Sequence, residues 1–544
     1  MMTAEKPIYK KNEAYKNMLN KKFTRRSVDE YKSARKEEKK IHKRKKKMYK
    51  ENQLKEVELL RSNHESIAFF RTINEGRKDF KPRITLCKNK DGIIISERDK
   101  ILDRWVEHFD NLLNTDVSGN PNINLDESIN QSTDIPTFEE TQYAINKLKN
   151  NKAAGPDAIP AELLKCGGND LAFIIWELIS LIWERETLPS DWNVSTMCPI
   201  HKKGDVLNCG NYRGISLLPV TYKVFSTILF NRLSPIVDDI VGEYQCGFRK
   251  GRSTIDQIFT LRQTLEKCRE YGIETHHLFI DFKAAYDSIH RTELLKALLE
   301  FNIPTKLIKL VKLTLTETIS MVRVQGETSA PFEIYNGVRQ GDALACLLFN
   351  LALEKVVRDS GINTRGTIFN RSVQILAYAD DIDILSRSAK ELKVAFLALE
   401  KAAGKMNLKI NIQKTKYMFC GKKESPLRTF DINQYKFESV TNFTYLGSEI
   451  NHQNDINPEI RRRIVAANRC FFGLRPLLKS HLVKRRTKIL LYKVLIKTSA
   501  NLRFRDMDPD NEGGKSFGSL RKEGLESYFW CRQREQRLAE KIQF

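Results

Sequence analysis

Nowhere in the 544-residue sequence do eighteen or more apolar residues run together, and the hydrophilic N-terminus has no signal-peptide pattern. A membrane span and secretion are therefore not expected; the nucleus or the cytoplasm is. The ten cysteines include no Cys-x-x-Cys pair and no Cys/His cluster at ligand spacing. That argues against a zinc knuckle or a disulfide scaffold and leaves reduced thiols, mostly buried as small hydrophobes. Proline is missing from residues 8–81, where Lys, Glu, Arg and Leu abound, so this stretch reads as long, largely solvated helix. An acidic excess is missing too, since the formal charge is +24.

That charge is unevenly placed. Residues 1–50 hold 19 Lys/Arg against 6 Asp/Glu, residues 451–500 hold 12 against 2, and the rest of the chain nets only +1. A nearly neutral body between two basic flanks is the pattern of a protein that grips a polyanion. Within the first flank, His42-Lys-Arg-Lys-Lys-Lys47 reads equally as a nuclear import signal, a nucleic-acid contact or a solvated helix face. In the second, Asn457-Pro-Glu459 opens a helix with proline at its first position. Ile460, Ile464, Ala467, Phe471 and Leu474 share one face of it, and Arg461, Arg462, Arg463, Arg469 and Arg475 mostly take the other.

The chemistry centres on Val373-Gln-Ile-Leu-Ala-Tyr-Ala-Asp-Asp-Ile-Asp-Ile-Leu385, two β-type runs joined by a short acidic break. Burying Asp380 and Asp381 beside an apolar sheet costs several kcal/mol unless something positive compensates. No basic residue lies between Val373 and Leu385, so a divalent cation is the candidate; a turn pointing into water is the plain alternative. A second apolar run, His277-Leu-Phe-Ile-Asp281, also ends in an aspartate. Two strand ends carrying Asp are what two-metal phosphoryl transfer requires.

Further landmarks lie along the chain. Thr137-Phe-Glu-Glu140 is a capping box opening a helix to about residue 150, followed by the turn-rich Asn151-Lys-Ala-Ala-Gly-Pro-Asp-Ala-Ile-Pro160. Pro199-Ile-His-Lys-Lys-Gly-Asp205 and Asn211-Tyr-Arg-Gly-Ile-Ser-Leu-Leu218 put basic side chains beside glycine, as either a phosphate-gripping or an ordinary surface hairpin would. Gln245-Cys-Gly-Phe-Arg-Lys-Gly-Arg-Ser-Thr254 precedes a helix. Gly337-Val-Arg-Gln-Gly-Asp342 leads into an apolar helix expected to lie beneath the sheet.

These motifs, with Asn411-Ile-Gln-Lys-Thr-Lys416 and Phe443-Thr-Tyr-Leu-Gly-Ser448, stand in an order and spelling that closely resemble the reverse transcriptase of non-long-terminal-repeat retrotransposons, over roughly residues 137–500. The resemblance implies an α+β right-hand polymerase of fingers, palm and thumb, with a basic helical N-terminal extension. It implies that Asp281, Asp380 and Asp381 are catalytic and hold two Mg²⁺, for which Mn²⁺ can substitute. Tyr286 becomes the gate against a ribose 2′-hydroxyl, and Arg213 the contact to the triphosphate, with Lys202 or Lys203 in support. Gln340 and Gly341 become the loop under template and nucleotide, and Lys414 a candidate proton donor to pyrophosphate. Asp287 and Asp383 are expected as supporting or surface acids, not metal ligands. The implied partners are an RNA template, a DNA primer and deoxynucleoside triphosphates, with no membrane.

The expected division is a basic extension and linker over 1–136, a fingers extension over 137–183, fingers and palm over 184–450, basic thumb-like helices over 451–500 and a divergent, disordered tail over 501–544. The chain departs from the family at Gly341-Asp-Ala-Leu-Ala-Cys346, where a proline is lost, and residues 1–136 are too short and too basic for an endonuclease. Beyond about Ser499 the expected apolar continuation gives way to a hydrophilic stretch rich in Gly and Arg, so a truncated element copy, a changed reading frame or an altered exon join is expected. Two rival readings go with it: a nucleic-acid-binding remnant without turnover, and an RNA-dependent RNA polymerase, against which Tyr286 speaks.

Overall fold

The computed structural model describes residues 5–75, 86–115, 133–369, 373–421 and 428–498. The tail expected over 501–544 and residues 116–132 of the expected extension and linker lie outside the described residues. The chain forms two compact units, Arg83–Asp455 and Met1–Pro82 with Ile456–Phe544. The stretch anticipated as a single extension over 1–136 is thus divided at position 82. Among the described residues, no helix is long and apolar enough to cross a membrane.

The smaller unit is helical. Glu5–Asn20 folds back on the 38-residue helix Arg25–Ser62, with ion pairs Lys10–Glu37 and Lys11–Glu38 at 3.2 Å. Val57, Phe69 and Ile73 bury against Ala467, Cys470 and Leu474 of the helix Asn457–Lys479 and against Leu491. Segments about four hundred residues apart in sequence share this core because each exposes one apolar stripe that the other can cover. The buried face of Asn457–Lys479 differs from the expected one. It runs through Ile460, Arg463, Ala467, Cys470 and Leu474, so Arg463, expected among the exposed cations, is inside. Glu459, itself 2% exposed, accepts from its Nε at 2.5 Å and makes that burial tolerable.

The larger unit is built on a six-stranded sheet in the order Thr429–Ile432, Tyr435–Ser439, Lys416–Cys420, Thr275–Ile280, Asp381–Ser386, Val373–Tyr378. All neighbours are antiparallel except Lys416–Cys420 with Tyr435–Ser439. Alternate residues enter two different cores. Leu278, Ile280, Ala377, Ile382 and Ile384 meet Leu348, Phe349 and Ala352 of the helix Ala343–Asp359, whose position beneath the sheet is as expected. Phe279, Leu376, Leu385 and Met418 meet Ile258, Leu261 and Leu265 of Thr254–Glu270 on the other side. Both faces are covered, which is why these strands read as continuous apolar runs instead of alternating ones.

A second sheet pairs Val194–His201 antiparallel with Tyr212–Leu217 and parallel with Thr318–Val324. The helix Arg98–Leu113 buries Trp105 and Phe109 with Met197 of this sheet. The capping box at Thr137 and Glu140 is present.

Candidate active site

Strand register brings the three aspartates together. Ile382 pairs with Ile280 across the antiparallel Asp381–Ser386 and Thr275–Ile280 strands, so Asp381 and Asp281 are the next residues outward at the same end of the sheet. Tyr378 pairs with Asp381, leaving Ala379 and Asp380 as a two-residue hairpin loop. Ala379 takes a left-handed φ of +55°, unusual for a residue with a side chain, and turns the chain sharply enough to place both carboxylates at one strand end.

The electrostatics follow from that crowding. Burial, and then the neighbouring Asp380 and Asp281, push the Asp381 carboxyl up to about 6. Burial and Asp281 raise Asp380, while Arg213 and Lys414 pull it down. Lys202 faces the same group of charges: burial and then Arg213 lower its pKa, and Asp287 and Asp281 raise it. Among the described residues, no three Asp, Glu, His or Cys groups already stand in a metal-holding arrangement. Asp281 Oδ2 instead accepts from Lys414 Nζ and Asn411 Nδ2, each at 3.0 Å. The donor set nevertheless fits a hard divalent cation. It consists of carboxylate oxygens only, and two of them are held partly buried at a cost that opposite charge would offset.

The remaining anticipated residues surround this cluster. Tyr286 stacks on Phe349 at 4.5 Å between ring centroids, and its hydroxyl is buried without a hydrogen-bond partner. Burial raises its pKa far above the ordinary tyrosine value, with Asp380 and Asp381 among the contributing charges. Gln340 Nε2 donates to Asp287 at 2.7 Å, and the Gln340 carbonyl accepts from Ser216 N at 2.8 Å. Gly341 has φ +123°, and a Cβ there would meet the Ser216 oxygen at 2.6 Å. The glycine is therefore required where the loop lies against the Tyr212–Leu217 strand, which carries the exposed Arg213.

Two acids expected as supporting or surface groups prove distinct. Asp287 is half-buried under Gln340, and burial lifts its carboxyl to about 6. Asp383 is fully buried and pairs with the equally buried His277 at 3.2 Å. Burial alone would lower His277, but the Asp383 carboxylate overrides it and raises the imidazole to about 10.

Sequence reasoning did not single out Asn411 and Thr415, although Asp281 N donates to Thr415 Oγ1 at 3.2 Å and Asn411 N to the Asp281 carbonyl at 2.8 Å. It placed Gln245 at the head of a motif without giving it a role, although its side chain bonds Ala379, 134 positions later. No local pattern marks such a partner.

Residues 200–450 match the family described as reverse transcriptase (RNA-dependent DNA polymerase). The chain is similar to the transposon TX1 uncharacterized 149 kDa protein of Xenopus laevis, at 23% identity over 64% of this chain and 27% of that protein. It is similar to the probable RNA-directed DNA polymerase from transposon BS of Drosophila melanogaster, at 25% identity over 61% of this chain and 37% of the relative. A third likeness is to the RNA-directed DNA polymerase from mobile element jockey of Drosophila melanogaster, at 27% identity over 51% of this chain and 31% of the relative. The chain thus spans well under half the length of these curated relatives. The aspartates of two adjacent strand ends are thus brought together inside the region that matches the reverse transcriptase family, and the similar proteins named as RNA-directed DNA polymerases come from transposons and mobile elements.

Proposed function

We propose that this chain is an RNA-directed DNA polymerase, extending a primer 3′-hydroxyl with deoxynucleoside triphosphates on an RNA template. The observation that carries the reading is the strand register that brings Asp381 and Asp281 to the same end of the sheet, one residue beyond the Ile382–Ile280 pair, with Asp380 beside them at the hairpin tip. Asp281, Asp380 and Asp381 would hold two Mg²⁺, which when bound lower the pKa of the attacking hydroxyl and neutralise charge on the leaving group. Arg213, with Lys202 beside it, binds the triphosphate. Tyr286 presents an unpartnered hydroxyl and a fixed ring where a ribose 2′-hydroxyl would clash. Gln340 and Gly341 support the template–nucleotide pair, and Lys414, now bonded to Asp281, donates a proton to departing pyrophosphate.

In this reading the six-stranded sheet is the palm, the Val194–His201 and Tyr212–Leu217 hairpin belongs to the fingers, and residues 451–500 act as a thumb. Nucleic acid is further supported by the helix Arg25–Ser62. At about 100° per residue, Lys36, Lys39, Lys40, Lys43, Arg44, Lys46, Lys47 and Lys50 fall within an arc of roughly 160°, and all eight are exposed. Such a stripe follows phosphates without reading sequence. Residence in the nucleus or cytoplasm belongs to the same proposal.

The test is primer extension on poly(rA)/oligo(dT) with Mg²⁺, beside an Asp380→Asn control. Incorporation above that control supports the enzyme; equal, background incorporation with persisting RNA binding selects a binding protein without turnover.

A further inference from the structure

The hairpin that carries Asp380 and Asp381 is bent through a left-handed alanine, a conformation that an L side chain disfavours and that the surroundings must therefore hold in place. The holding group is a buried glutamine. Gln245 is 1% exposed. Its Oε1 accepts from Ala379 N at 2.7 Å, and its Nε2 donates to the Ala379 carbonyl at 3.3 Å. One carboxamide thus engages both backbone groups of the residue immediately before Asp380.

Gln245 is itself fixed. Its Oε1 also accepts from Gly247 N at 2.7 Å. Cys246 N donates to the Ala377 carbonyl, and Ala377 N to the Tyr244 carbonyl, each at 2.9 Å, so residues 244–246 run as a short parallel partner along Val373–Tyr378. Asn350 Nδ2 from the helix beneath donates to the Gly247 carbonyl at 2.8 Å. A Cβ on Gly247 would lie 2.2 Å from Ala379 N, so only glycine lets the loop approach the hairpin this closely.

We infer that Gln245 is a positioning residue of the polymerase: its carboxamide locks Ala379 left-handed and so sets the orientation of the Asp380 and Asp381 carboxylates. The inference rests on the proposed enzymatic reading. Gln245 touches neither nucleotide nor metal in this role and acts through the hairpin backbone. Only a carboxamide offers an acceptor and a donor together at this reach. Methionine has similar length but neither function, whereas glutamate keeps the acceptor and loses the donor.

The experiment compares wild type, Gln245→Met, Gln245→Glu and Asp380→Asn in primer extension, reading kcat, KM for the deoxynucleotide, the Mg²⁺ concentration at half-maximal rate, metal-free affinity for primer–template, and Tm. For Gln245→Met, kcat is expected to fall about 100-fold, as a misplaced catalytic geometry does. Its half-maximal Mg²⁺ should rise severalfold, while nucleotide KM and metal-free affinity stay within about twofold. Gln245→Glu should regain part of that kcat. An active wild type with Gln245→Met at wild-type kcat overturns the assignment. So does a loss in which kcat, affinity and Tm fall together and the Mg²⁺ requirement does not move. A wild type no more active than Asp380→Asn defeats the enzymatic reading instead, a separate result.

Discussion

The two charged regions of this protein are opposites in construction. At the hairpin, three carboxylates converge at one end of the six-stranded sheet, with Asp281 held by Asn411, Lys414 and Thr415, and Ala379 by Gln245. Along Arg25–Ser62, eight cations stand on an exposed helical face, where positions 42–50 are all exposed. The difference teaches how charge is put to work. Crowding makes each carboxylate individually consequential, because like charges on neighbouring strand ends act on one another at short range. Exposure makes each lysine weak by itself, so that only their number and spacing count.

The sharpest way to break this contrast is to remove one charge from each region. Asp381→Asn should cut nucleotide incorporation about a thousandfold while leaving metal-free RNA affinity within about twofold; filter binding and primer extension on the same preparation check both. One lysine, such as Lys43→Gln, should change RNA affinity by no more than a few-fold. Replacing Lys39, Lys40, Lys43, Lys46, Lys47 and Lys50 together by Gln should lower RNA affinity by about two orders of magnitude at low salt. It should also flatten the plot of log affinity against log salt, by about 0.7 for each single-strand phosphate that is no longer neutralised. Incorporation at saturating primer–template should stay near wild type. An unchanged salt slope would remove the stripe from any role in nucleic-acid binding.

Tyr286→Ala sharpens the comparison inside the cleft. Its discrimination against ribonucleotides should drop by about 10–100-fold, measured as the ratio of kcat/KM for the two sugars. Unchanged discrimination would return Tyr286 to the role of a core aromatic on Phe349.

The smallest effect concerns pH. Because Asp383 raises His277 above its unfolded value, the stabilisation from this pair is fully present below about pH 6.5 and is lost as pH climbs toward about 10. Thermal melts at pH 7 and pH 10 should differ by about 2–4 °C more in wild type than in a His277→Gln variant. An identical pH difference in both would show that the imidazole carries no net proton at neutral pH.

Much of the architecture was legible. The capping box at Thr137, the strands on either side of Tyr378-Ala379-Asp380-Asp381 and the apolar helix after Asp342 all announce themselves through local spacing and composition. The face of Asn457–Lys479 was less so, because helical periodicity scores Arg463 as polar and cannot know that Glu459 will neutralise it one turn away inside a core. The linker after residue 115 and the tail from 501 fall outside the described residues.

The sequence by itself determined which groups are available: acidic strand ends, glycines at Gly247 and Gly341, basic flanks, and ten cysteines without a Cys-x-x-Cys pair. Periodicity and composition are properties of neighbouring residues, so they reach no further than one element. Only the tertiary structure decided that Asp281 meets Asp381, that Asp383 disappears inward against His277, and that Gln245 reaches Ala379. Each of those pairings joins positions about a hundred or more apart, through strand register and buried hydrogen bonds that no local pattern encodes.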